Sequence, residues 1–145
     1  MKYTNEVIIE KPLQETLDLF DNMDNMYEWM MGLQSHEHIE GTPGEVGAKM
    51  NMVFKMGKHD FEIMETITDK DLPRIFSARY DSKLSSNHVT NSFTELDPIR
   101  TRLTAETEVF PHSFFVRLMC WIMPGSFKKQ SQMILDSFKN FAENR

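Results

Sequence analysis

The chain has 145 residues, 40% of them hydrophobic, with 22 acidic against 16 basic side chains and a formal net charge of -6. That length suits one domain with a real core rather than two, and the negative balance repels a phosphate backbone, so nucleic-acid binding is not expected. The single cysteine, Cys120, excludes an intramolecular disulfide, and the charged start "MKYTNEVIIEK" lacks the apolar core of a signal peptide, so the expected compartment is cytoplasmic.

"KYTNEVIIE" is rich in β-branched residues and reads as a first strand, after which Pro12 opens a helix where proline is tolerated. Leu13, Leu17 and Phe20 recur at helical spacing, "DNMDN" breaks the pattern, and "MYEWM" offers a second short helix. The period then changes to two. "LQSHEHIE", "AKMNMVFKM", "HDFEIMETIT", "PRIFSARYD", "NHVTNSFTEL" and "RTRLTAETEVF" follow one another, separated by turn-forming stretches, and predict an antiparallel meander. From Ser113 to Phe141 the chain is helical again, broken at Pro124-Gly125, and Phe127, Gln130, Ile134, Phe138 and Phe141 trace one face. The class is α+β, with the terminal helix covering one sheet face. The apolar run from Phe114 to Met123 is about half the length of a membrane span and is interrupted by Arg117.

This order of elements, with "KPLQETLDLF", "YEWM", "GTPGEVGAKMNMVF", "METITDKDLP", "RTRLT" and "MPGSFKKQSQMILDSFKNFAE", resembles the SRPBCC or START-like helix-grip superfamily over essentially the whole chain. It is most similar to the bacterial proteins of the polyketide cyclase/dehydrase and lipid-transport-like kind, and to the birch-pollen allergen. The resemblance implies a curved antiparallel sheet of about six to seven strands wrapped around a long C-terminal helix, with two short helices after strand one. It also implies an apolar cavity between sheet and helix. Such proteins include lipid carriers, some cyclases and chaperone-activating domains. The matching residues determine a fold and contain no catalytic motif.

The glycine-rich "EGTPGEVGAKMNMVF" lacks the lysine and hydroxyl of a phosphate loop, and Glu40 and Glu45 argue against a nucleic-acid clamp. It reads as a turn between neighbouring strands, shaped by Pro43 and Gly44, with Gly47 relieving crowding where the next strand starts.

Alternation assigns an inward set: Met50, Met52 and Phe54 on one strand, Phe61 and Ile63 on the next, then Phe76 with Tyr80, Val89 with Phe93, and Leu103 with Val109. Each suits plain core, and together they suit a binding cavity completed by Trp29 and Ile134. Glu65 and Asn91 fall in register with these residues. Glu65 is therefore the candidate polar anchor or general acid/base, unless a bend turns it outward onto Arg79 or Arg74. Asn91 either aligns a ligand carbonyl or satisfies a neighbouring backbone group. Trp29 and Tyr27 either lie at a cavity mouth or plug the short helices onto the sheet.

His36 and His38 share a strand face but lack a third ligand, so solvent-facing edge positions explain them better than a metal. His59, His88 and His112 fall at turns or strand ends. Cys120 reads as inert and buried, and Ser126 as the cap of the second half of the terminal helix. "HSFFVRLMCWIM" is apolar on nearly every side, which suits burial or contact with a protein partner or a membrane, with Arg117 its lone charge. No metal, no cofactor and no stable membrane insertion are expected. The favoured reading is binding of a hydrophobic small molecule or lipid, as carrier, sequestering protein or sensor. The alternatives are a cyclase/dehydrase-type enzyme using Glu65, and an interaction module docking through residues 113–123.

Overall fold

A computed structural model covers residues 1–145. Strand β1 (Lys2–Ile9) leads into helix α1 (Leu13–Phe20), a 3-10 turn (Met23–Asn25) and helix α2 (Met26–Trp29). Six strands follow: β2 (Leu33–Glu40), β3 (Lys49–Met56), β4 (His59–Asp71), β5 (Ile75–Asp81), β6 (Ser85–Asp97) and β7 (Arg100–Pro111). Helices α3 (Phe114–Ile122) and α4 (Pro124–Glu143) end the chain. The seven strands form one antiparallel sheet in the order β1-β7-β6-β5-β4-β3-β2. The first strand thus pairs with the last, and the meander runs from β2 at one edge to β7. Register shifts in β2, β4 and β6 mark bulges, which bend strands and increase their twist. The result is the helix-grip architecture, α+β, with the long helix on one face of the sheet.

Helix α4 is held along β1 by polar contacts that set its position. The Asn5 amide donates to the Lys128 carbonyl (3.1 Å) and to Gln132 Oε1 (2.9 Å), and the Tyr3 hydroxyl bonds Ser131 Oγ at 2.7 Å. Farther along, Gln132 Nε2 donates to the Glu6 carbonyl (3.1 Å). Below these contacts Leu135, Phe138 and Ala142 enter a core with Val7, Ile9, Leu17, Trp29, Phe93 and Leu103. The buried stripe is therefore Leu135–Phe138–Ala142, displaced from the face anticipated through Phe127 and Gln130, because β1 rather than the sheet centre receives the helix. No residue of α4 before Leu135 is buried.

Pro124 splits the terminal helix rather than kinking it: α3 ends at Ile122 and Pro124 occupies the first turn of α4. Ser126 is not a cap. The residue before α4 is Met123, which offers no side-chain acceptor, whereas Ser113 Oγ caps α3 by accepting from the Val116 amide at 3.2 Å.

The glycine-rich loop is a turn between the paired strands β2 and β3, and the reason given above for Gly47 is corrected. A Cβ on Gly47 would meet open space, so crowding is not what requires glycine there; its φ of +90° is. Crowding belongs to Gly41, at φ +80°, where a Cβ would stand 3.0 Å from Ala48 Cα and 3.1 Å from the Gly47 carbonyl oxygen. The loop is also anchored from outside, since Lys70 Nζ donates to the Gly44 carbonyl at 2.8 Å and pairs with Asp21 at 3.2 Å. Gly41→Ala and Gly47→Val should each destabilise the fold by about 1–3 kcal/mol, through left-handed strain and, at Gly41, a backbone clash. Glu45→Ala removes only a long contact, 3.9 Å, from an exposed carboxylate to Lys70, which keeps Asp21 and the Gly44 carbonyl, and should stay within about 0.5 kcal/mol. Denaturant melts of the three variants test this, and equal losses across all three would refute the reading of the loop.

Candidate functional site

Antiparallel partners carry their side chains on the same face, so the ladders assemble a row across the sheet. Met50 faces Glu65, Glu65 faces Tyr80, Tyr80 faces Asn87 and Asn87 faces Val109. Asn5 on the same face of β1 reaches α4, and it stands in line with Ala105, Asn91 and Phe76, which places this surface beneath the helix. Glu65 therefore lies on the concave side. Its exposure is 8%, which excludes the outward alternative, and the two arginines proposed as its outward partners are engaged elsewhere. Arg79 Nε pairs with Asp81 at 2.9 Å and Arg74 with Asp71 at 2.8 Å.

Burial pushes the Glu65 carboxyl above its ordinary 4.5, and the Tyr80 hydroxyl beside it pulls more weakly the other way. Tyr80 is pushed well above its ordinary 10.0, by burial first and then by the Glu65 charge. The pair is thus a carboxyl that keeps its proton to higher pH than an exposed glutamate and a phenol that stays protonated. Neither has a basic side chain against it.

Apolar groups surround this pair. Met50 and Met52 are buried with Met26 and Leu33, and Phe54 and Tyr80 pack against that cluster. Toward the other end of the concave face, Phe93, Leu103 and Trp29 belong to the cluster gripped by Phe138. Between the two, Phe54, Phe61, Ile63, Phe76, Val89 and Asn91 are only half-buried. Ile134 stands one turn before Phe138 on α4 and remains 40% exposed. The concave wall is therefore enclosed at the Trp29–Phe138 end and keeps solvent contact farther out, beside the part of α4 that buries no side chain, and this partly wet stretch is the candidate groove.

Other sequence candidates find definite places. Trp29 is the plug of that closed end: its ring lies 6.0 Å from Phe20 and 5.1 Å from Phe138, and its indole N–H is buried without a hydrogen-bond partner. Tyr27 is exposed and its hydroxyl bonds His36 Nδ1 at 2.7 Å. Asn91 donates to the Phe76 carbonyl at 3.4 Å, the backbone role of its two alternatives. His36 and His38 lie opposite Met52 and Met50 on the edge strand, where His38 is exposed and His36 half-buried against Tyr27. His88 is not at a strand end; it sits within β6 and contacts Thr68 Oγ1 at 3.2 Å. Cys120 is half-buried rather than enclosed. Two surface depressions, of about 480 and 380 Å³, lie away from the groove. One is bounded by Glu28, Asn140 and Arg145, the other lies over β1, β7 and β6 near His88 and Glu106, and a single apolar residue lines each.

Sequence reasoning missed Tyr80 as a polar partner, counting it only as an apolar wall residue, and did not single out Asn87. The two-residue period was signal enough for both, but only the β4–β5 and β5–β6 registers bring them beside Glu65.

No protein-family model matches the sequence, and no characterised protein matches it in sequence. Solved structures do match in shape. The Zhui aromatase/cyclase from Streptomyces sp. R1128 is 12% identical over 100% of this chain and 94% of that one, with a TM-score of 0.81. Ara h 8.0201 is 11% identical over 100% and 99%, with a TM-score of 0.78. A START superfamily protein from Mycobacterium smegmatis is 7% identical over 99% and 97%, at 0.77. At these identities the likeness speaks for the fold alone, and the chain has the SRPBCC/START-like helix-grip fold.

Proposed function

We propose that the chain binds a hydrophobic small molecule or acyl chain along the concave groove and acts as a carrier, sequestering protein or sensor. The observation that carries this reading is the half-buried apolar wall around a buried carboxyl, Glu65, whose proton burial holds to higher pH than usual. Apolar side chains left partly wet gain from covering by an apolar ligand, at roughly 25 cal/mol per Å² removed from water. The Glu65–Tyr80 pair gives such a ligand one polar anchor, able to donate to a hydroxyl, carbonyl or ester oxygen. Met50 and Met52, buried behind the apolar wall with Met26 and Leu33, give it a backing that can adjust to ligands of different shape. A soluble carrier or sensor acting inside the cytoplasm fits this chemistry and needs no cofactor.

The same pair favours a second reading, an enzyme of the cyclase/dehydrase type. A carboxyl with a raised pKa can give its proton to a substrate oxygen and, as the carboxylate left behind, take one from carbon. In that case Glu65→Gln keeps binding and lowers turnover on a polyketide-like substrate by about a hundredfold or more.

A fluorescent long-chain alcohol, which carries no charge of its own, should bind saturably to the folded chain. In a Trp121→Phe background, which leaves Trp29 as the only tryptophan, Trp29 emission should change in step. Affinity should fall as pH rises through the folded pKa of Glu65, and Glu65→Gln should bind with no such dependence. Non-saturating uptake would overturn the groove as a binding site, and matching pH profiles for parent and variant would remove Glu65 as its anchor.

Stability must follow the same proton. Because Glu65 holds its proton to higher pH in the folded chain, its contribution is intact below the unfolded value near 4.5 and is lost as pH rises through the folded value. Denaturant melts should therefore show Glu65→Gln gaining on the parent from acid to neutral pH. A stability difference constant over that range would contradict a buried Glu65.

A further inference from the structure

Helix α3 presents a large apolar face that nothing in the chain covers. Phe114 is 77% exposed and Trp121 82%, and Phe115, Ile122 and Met123 are exposed beside them. At 100° per residue, Trp121, Phe114, Leu118, Ile122 and Phe115 fall on one arc of the helix, while Val116, on the opposite side, is the residue it buries against the body. The β5–β6 hairpin continues the surface, because the His112 amide donates to the Leu84 carbonyl at 2.9 Å and Leu84 is itself exposed.

The charge around this face is unlike that of the rest of the chain. Between Glu108 and Asp136 there is no acidic residue, although the chain as a whole carries -6. The segment holds Arg117, at the margin of the exposed arc, and Lys128 and Lys129 in the first turns of α4, all exposed. None of the three forms an ion pair, nor does Lys83 beside Leu84. An exposed aromatic and aliphatic face, in a segment whose Lys and Arg residues are all unpaired and which holds no acidic residue, matches a surface that is apolar within and negative at its rim.

We propose that α3 docks on the interface of an anionic lipid bilayer, with Trp121, Phe114 and Phe115 entering the headgroup boundary and Arg117, Lys128 and Lys129 against the acidic headgroups. The helix lies on the membrane and does not cross it, since no helix of the chain is long and apolar enough to span one. A second copy of the chain fits less well, because a symmetric contact through α3 brings the same unpaired cations toward each other. Docking goes beyond ligand binding in the groove and does not depend on it. It would set the open end of the groove, beside the first half of α4, next to a source of apolar ligand.

Flotation with vesicles tests the proposal on the full chain, with no ligand added. The chain should float with vesicles of equimolar phosphatidylcholine and phosphatidylglycerol, remain in solution with phosphatidylcholine alone, and release as salt rises. Trp121 emission should shift to the blue on docking. A Lys128→Glu/Lys129→Glu double variant should bind anionic vesicles at least about tenfold more weakly, from the loss of two headgroup attractions. Trp121→Glu, at a position outside the core, should also lose flotation while its melting curve stays that of the parent. Failure to float with the anionic vesicles at low salt overturns the proposal. So does equal flotation by the lysine variant, or a stable dimer that hides Trp121 and ignores vesicles. Each of these results leaves the alcohol titration of the groove unaffected, so the two readings fail separately.

Discussion

The attachment of α4 to β1 is the constraint on which the rest of the structure depends. Asn5 and Tyr3 fix the helix along the edge of the sheet, and Phe138, fully enclosed between Val7, Ile9, Leu103 and Trp29, holds its second half down. Removing a buried ring of this kind costs about 3–5 kcal/mol, so this end of the helix is not free to lift. The first half is hydrogen-bonded to β1 through Lys128, Ser131 and Gln132 but buries no side chain, and it packs along β1 rather than against β3, β4 and β5. The groove is what remains between a helix bound at one edge and a sheet that wraps beyond it.

Within that space the placement of Glu65 is the least comfortable feature of the fold. A buried carboxyl with a phenol beside it and no cation in contact weakens the folded state at neutral pH, and the same sequence pairs most of its other buried polar groups. Thr16 bonds the Pro12 carbonyl, Thr101 the Lys11 carbonyl and Ser77 the Thr90 hydroxyl. A polar group kept at some cost among apolar walls, where an isoleucine or valine would pack better, is the pattern of a site rather than of a core.

Much of the architecture is legible in the sequence because the period changes are sharp. Met50, Met52 and Phe54 alternate with Asn51 and Val53, and Leu13, Leu17 and Phe20 recur at helical spacing. Alternation also places Glu65 correctly, since Phe61, Ile63 and Ile67 share its parity. What alternation cannot supply is the register between strands. The bulge between Ile67 and Asp69 shifts the β4–β5 pairing, and only that pairing brings Tyr80 opposite Glu65. The buried stripe of α4 departs from the expected one for a related reason: Phe127 and Gln130 fit the apolar period, but the edge strand β1 selects Leu135 and Ala142 around Phe138. Gly47 shows a third limit, because a sequence marks a glycine without saying whether φ or space requires it.

Methyl NMR of the chain labelled at methionine and isoleucine tests the central claim most directly, because such residues line the groove and also mark α3. On titration with the long-chain alcohol, the methyls of Met50, Met52 and Ile63 should shift together and saturate, while those of Met119 on α3 and Met123 just after it stay unchanged. Shifts confined to the α3 methionines, or none at Met50, Met52 and Ile63, would contradict a ligand site on the concave face.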